Sequence, residues 1–90
     1  MYYVYMLQDV ERPETIYLGY TSDLKRRVKE HNAGGNASTR GRRWRVLYYE
    51  AYSSEALARE REAKLKRNRK MRQLLTRRIQ VRTDGEALSD

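Results

Sequence analysis

The chain has 90 residues, with 20 Lys and Arg against 12 Asp and Glu, a formal net charge of +8, 39% hydrophobic residues, one histidine and no cysteine. The missing cysteines exclude a disulfide framework, a thiolate metal site and a cysteine nucleophile, and the single histidine excludes a multi-histidine zinc centre. No basic leader and no apolar run long enough to span a bilayer is visible, so one small soluble, cytoplasmic domain with no membrane span is expected; its positive field attracts polyanions, nucleic acid ahead of the alternatives that charge alone leaves open, acidic proteins and anionic membrane.

In chain order, Tyr2-Tyr3-Val4-Tyr5-Met6-Leu7-Gln8 combines β-branched and aromatic residues without helix punctuation and predicts a strand buried on both faces, hence a central one. The polar stretch from Asp9 to Glu14, which holds the only proline, Pro13, predicts a hairpin loop, and Thr15 to Tyr20 a second, antiparallel strand. Thr21, Ser22 and Asp23 offer caps for a helix near residues 22 to 32, and Asn32 to Gly35 offers its stop. On that helix Leu24, Arg27, Val28 and His31 fall at i, i+3, i+4 and i+7 and share a face. Ala33 to Arg45 lacks periodicity and turns basic at Arg40, Arg42, Arg43 and Arg45, which predicts an exposed loop suited to phosphate contact.

Trp44 to Tyr52 predicts a third strand, with Val46, Tyr48 and Glu50 on one face and Leu47, Tyr49 and Ala51 on the other. Ser53 or Ser54 caps a second helix from Glu55 to about Asn68, which carries Glu60 to Lys64 and Glu62 to Lys66 pairs at i, i+4. A short basic helix over Arg69 to Leu75 follows, and the pattern fades from Thr76. Residues 79 to 90 are expected to form an acidic C-terminal tail, with Ile79 and Val81 docked as an edge strand as the alternative. The sum is one α+β domain over residues 1 to 78, a mostly antiparallel three-stranded sheet flanked by helices in the order β-β-α-β-α-α.

Tyr3-Val4-Tyr5 and Tyr17-Leu18-Gly19, then Leu24, Arg27 and His31 on the first helix and Glu55-Ala56-Leu57-Ala58-Arg59-Glu60 on the second, resemble in order and spacing the signature of the GIY-YIG nuclease superfamily. The plan is similar to that of its small stand-alone bacterial branch, which resembles the excision-repair incision nuclease domain. Tyr5 and Tyr17 match the tyrosines of the two half-motifs, while Tyr3 stands at the glycine of the first and Leu18 at the isoleucine of the second. The resemblance implies a divalent-metal-dependent endonuclease that hydrolyses phosphodiester bonds in DNA. Single-stranded or branched DNA is favoured and RNA is the other candidate.

The resemblance also implies the site. Tyr5 and Tyr17 line it, and Tyr5 or His31 helps to deprotonate the attacking water. A free phenol titrates near pH 10 and needs help to act as a base, whereas histidine titrates near neutrality. Arg27 stabilises charge on the scissile phosphate, and its loss should cost on the order of 3 kcal/mol of barrier. Glu60 is the implied metal ligand. One carboxylate with waters and substrate oxygens suits Mg2+, for which Mn2+ would substitute.

Gly19, which lets a backbone approach closely, joins Arg26, Asn32, Asn36, Ser38, Thr39, Arg40, Arg42, Arg43 and Lys64 as expected nucleic-acid contacts. Trp44 is open to either stacking on an unpaired base or capping the core. A domain this small leaves specificity to its own loops or to a protein partner. A non-catalytic nucleic-acid-binding module on the same scaffold is the alternative function.

Overall fold

The computed structural model describes residues 1–89, with side-chain surroundings through Ile79. Strand β1 (Tyr2–Asp9) lies between β2 (Ile16–Thr21) and β3 (Trp44–Tyr52), antiparallel to both. Helices α1 (Leu24–Asn32), α2 (Glu55–Arg67) and α3 (Arg69–Ser89) complete the expected α+β order. The central place of β1 follows from its composition, because every residue from Val4 to Asp9 is buried. Val4 and Met6 pack with Leu18, Ala58 and Leu65 on the face covered by α2, and Tyr5 and Leu7 pack with Trp44, Leu24 and Val28 on the face covered by α1. Each such aliphatic side chain contributes about 1.5–3 kcal/mol by leaving water.

Local chemistry fixes the connections. Asp9 Oδ1 accepts the N–H groups of Glu11 (2.9 Å) and Arg12 (3.3 Å), so one carboxylate shapes the β1–β2 turn. Asp23 caps α1 by accepting the N–H of Arg26 at 3.1 Å. The other end of α1 closes where Gly34, at φ +83°, donates to His31 O and Gly35 donates to Glu30 O. That pair of reversed bonds is how a left-handed glycine satisfies the last carbonyls of a helix. Ser54 caps α2 and Asn68 caps α3, accepting from Met71 N at 2.9 Å.

Two expectations change. A bulge opposite Met6 and Leu7 places Tyr48 against Met6 but Val46 against Leu7, with Leu47 as the extra residue. Val46 and Tyr48 therefore face opposite sides of the sheet, because a bulge inverts the two-residue alternation beyond it. The third helix continues from Arg69 to Ser89 instead of ending near Leu75. The expected stop followed the fading apolar period, but the loss of an apolar face does not by itself end a helix, and good helix formers such as Arg77 and Arg78 follow Thr76. Ile79 and Val81 thus lie on a helix and not on an edge strand, and Asp90 lies outside the described residues.

On the α2 side of the sheet, Glu50 of β3 accepts from the hydroxyls of Tyr48 and Tyr52, each at 2.7 Å, and from Arg61 Nε and Nη2 at 2.9 and 3.0 Å. This bidentate pair ties the middle of α2 to β3. No helix among the described residues is long and apolar enough to cross a membrane.

Candidate active site

Tyr5 leaves the middle of β1 opposite Gly19 of β2. A Cβ on Gly19 would sit 2.7 Å from the Tyr5 hydroxyl and 3.1 Å from a Tyr17 ring carbon. Gly19 is therefore buried beneath the two tyrosines, and the room it leaves is filled by the protein's own phenol instead of a phosphate backbone. The rings of Tyr5, Tyr17 and His31 converge there: Tyr17 lies 4.7 Å from His31 and 6.3 Å from Tyr5, centroid to centroid.

His31, presented by the last turn of α1, is 0% exposed and bonded at both ring nitrogens. Nε2 meets the Tyr5 hydroxyl at 2.8 Å and Nδ1 meets Thr39 Oγ1 at 2.8 Å. In the tautomer in which the Thr39 hydroxyl gives its hydrogen to Asn36 O, 3.3 Å away, it accepts from His31 Nδ1–H, and Nε2 accepts from the Tyr5 hydroxyl. The result is a one-directional buried chain from Tyr5 through His31 and Thr39 to the Asn36 carbonyl.

The electrostatics agree with that assignment. Burial pushes the Tyr5 phenol up to about 12; the Arg27 guanidinium beside it opposes the rise, and the neighbouring Tyr17 and the Glu62 carboxylate add to it. Burial and then the Arg27 charge hold His31 below its usual value, which keeps it neutral and able to accept. Arg27 itself stays charged, hydrogen-bonded to Glu30 Oε1 at 3.2 Å.

Four of the five residues singled out for catalysis, Tyr5, Tyr17, Arg27 and His31, thus form one cluster. Glu60 stands apart, exposed on α2 without an ion-pair partner among the described residues. It is Glu62, two residues on, whose charge reaches Tyr5; its side chain is only 17% exposed and pairs with Lys66 at 3.7 Å. The helix period explains the difference. Glu62 falls four residues after buried Ala58 and three before buried Leu65, whereas Glu60 points about 200° away from Ala58. The spacing Ala58, Glu62, Leu65 identifies the inward carboxylate once Ala58 and Leu65 are known to be buried.

The expected nucleic-acid contacts divide into supports and free groups. Thr39 is fully buried beside His31, and Asn36 Nδ2 donates to the Tyr17 hydroxyl at 3.4 Å. Asn32 is a brace: its amide bonds both the N–H and the C=O of Trp44, at 2.7 and 3.1 Å. Trp44 is a core wall, buried and donating from Nε1 to Thr39 O at 2.9 Å. Arg42 is paired with Asp9 Oδ2 at 2.6 Å and holds that carboxyl below its usual range, and Arg40 Nε is bonded to Gly34 O at 3.1 Å. Ser38 is exposed, with its backbone N–H bonded to Asn36 Oδ1 at 2.8 Å. Arg26, Arg43 and Lys64 are exposed and carry no ion pair among the described residues.

A family model described as the GIY-YIG catalytic domain matches residues 1–74. The chain belongs to the GIY-YIG family. A UPF0213 protein of Haloquadratum walsbyi is 43% identical over 77 residues, covering 81% of this chain and 84% of its own. A UPF0213 protein of Streptococcus pyogenes is 41% identical over 75 residues, covering 81% and 79%. The solution NMR structure of a UPF0213 protein from Bacillus halodurans matches with a TM-score of 0.51 and 37% identity, covering 84% of each chain. GIY-YIG domains make up a nuclease superfamily that acts on nucleic acid and generally uses divalent metals.

The donor set of this GIY-YIG domain fits such an ion. No group of three or more His, Cys, Asp or Glu side chains gathers among the described residues, which excludes a dedicated protein cage there. One inward carboxylate, Glu62, whose charge is felt at Tyr5, remains, and a single carboxylate suits Mg2+ that keeps most of its shell as water and substrate oxygen.

Proposed function

We propose that this domain is a divalent-metal-dependent endonuclease that hydrolyses phosphodiester bonds in DNA, working through Tyr5, Tyr17, Arg27, His31 and an α2 glutamate. The observation that carries the reading is the buried hydrogen-bond chain from Tyr5 to Thr39, with Arg27 beside the phenol. A phenol held at about 12 is ionised to only about one part in 10⁵ at pH 7, so a standing phenolate is not the base. A relay avoids that cost. Tyr5 takes a proton from the attacking water as it passes its own to His31 Nε2, and Thr39 keeps Nδ1 protonated so that Nε2 stays the receiving atom.

Arg27 stands where charge builds on the phosphate, and Tyr17, its hydroxyl held by Asn36, forms the second wall. Glu62, in preference to Glu60, would hold Mg2+ or Mn2+. The bound ion supplies charge neutralisation at the scissile phosphate and its leaving oxygen. Single-stranded or branched DNA is the favoured substrate, and a protein partner is the source of any specificity beyond the loops.

The test is cleavage of labelled single-stranded, duplex and branched DNA with Mg2+ or Mn2+, beside Glu62→Gln, Glu60→Gln and an EDTA control. Products are expected from the wild type and from Glu60→Gln, and none from Glu62→Gln or with EDTA. Products that persist in EDTA would end the metal-dependent reading. Binding of every substrate without products would leave a non-catalytic nucleic-acid-binding module.

A further inference from the structure

A cleft of about 1090 Å3 opens between the β1–β2 hairpin and the corner where α2 meets α3. Lys66, Arg69 and Arg77 line its helical wall, Ile16 and Tyr17 line the hairpin wall, and Glu14 is the one acidic residue among its lining. Arg69 and Arg77 are exposed and have no ion-pair partner among the described residues. A fourth cation, Arg72, is already engaged, donating to the carbonyls of Leu65 and Lys66 that end α2. Free arginines on a cleft wall, facing apolar and aromatic side chains, match a ligand that carries phosphates on one side and flat apolar surfaces on the other.

The cleft borders the tyrosine cluster at Tyr17. Tyr17 belongs to both, and Lys66 reaches from the cleft to Glu62 at 3.7 Å. Arg69 and Arg77 stand eight residues apart on α3, about 12 Å along its axis, so each meets a different phosphate of a bound strand.

We infer that this cleft binds a single nucleic-acid strand running out of the tyrosine cluster, with Lys66, Arg69 and Arg77 on its phosphates and Ile16 and Tyr17 against its bases. A single strand is favoured over a duplex because the apolar wall rewards base faces, which a duplex keeps stacked inside. The direction of the strand rests on the endonuclease reading; the cleft as a strand-binding surface does not.

The test is fluorescence anisotropy of a labelled oligothymidylate, and of a blunt duplex of equal length, over a salt series in EDTA so that no turnover occurs. For Arg69→Glu/Arg77→Glu, single-strand affinity is expected to fall at least tenfold. The slope of log K against log salt should shrink by roughly 1.4, about 0.7 for each phosphate that is no longer neutralised. Arg69→Gln/Arg77→Gln, which only removes charge, should give a smaller loss with the same change of slope, and circular dichroism should show both variants folded. Unchanged affinity and slope in folded variants would overturn the proposal, as would tighter duplex binding that falls equally. An anisotropy defect with no cleavage of any substrate would remove the endonuclease reading and leave the cleft. Cleavage with no anisotropy defect would do the reverse.

Discussion

Replacing Thr39 by Val isolates the tautomer lock on His31. The two side chains have nearly the same shape, so the change removes a hydroxyl from a position that is 0% exposed without opening a cavity. The hydroxyl takes part in two bonds, one at 2.8 Å to His31 Nδ1 and one at 3.3 Å to Asn36 O. Without it the Nδ1–H is buried with no acceptor, a penalty of about 1–3 kcal/mol. In a domain of this size each kcal/mol moves the midpoint of thermal unfolding by about 4–8 °C, so the loss should fall between roughly 4 and 24 °C. Part of the penalty can be escaped by moving the proton to Nε2, but that leaves the Tyr5 hydroxyl facing a donor and should lower kcat by about tenfold to a hundredfold. Thermal melts followed by circular dichroism, with 15N spectra of the single histidine, read both effects. Thr39→Ser is the control: it keeps the hydroxyl and loses one methyl, about 0.8 kcal/mol. A Thr39→Val protein that melts with Thr39→Ser and keeps the wild-type histidine spectrum would refute the lock.

Gly19→Ala should cost about 1–3 kcal/mol by overpacking and displace the Tyr5 ring, because the new methyl lies 2.7 Å from its hydroxyl; a wild-type urea midpoint would contradict this. Asn32→Ala should lower the melting temperature by removing the brace on Trp44, while DNA affinity per folded molecule stays unchanged in anisotropy titrations. Stability should also follow pH at both ends. His31 is held below its usual value, so its contribution is full above pH ~6.5 and lost as pH falls through its folded value; Tyr5 is held up to about 12, so its contribution is full below pH ~10 and lost as pH rises toward 12. Urea midpoints across pH measure this, and an acid limb unchanged in His31→Gln would show that another group is responsible.

The strands and the first two helices were legible because each is set by local chemistry: the apolar run of β1, the Asp23 cap, the Gly34 stop, the Ser54 cap. The tyrosine, arginine and histidine positions were legible because they recur in order along β1, β2 and α1. What lay hidden depended on partners distant in sequence. The bulge in β3 is a property of its pairing with β1 and leaves no mark within either strand. Thr39 looks like a loop hydroxyl available to a ligand until Trp44 and His31 close over it. In the glutamate-rich α2, several registers look alike until buried Ala58 and Leu65 show which side faces inward.

The clamp between Glu50 and Arg61 has a meaning for how such domains diverge. Arg61 and Glu62 are neighbours on α2, one fastened to β3 and the other largely buried and paired with Lys66. Whatever fixes the first sets the rotational phase of the second, so Glu50 belongs to the geometry of the carboxylate without touching it. Either member changed alone strands a partly buried charge among tyrosine hydroxyls. Homologues are therefore expected to exchange positions 50 and 61 together. Where that pair is apolar, α2 needs some other pin to β3, and its inward glutamate is the residue whose aim records whether one was found.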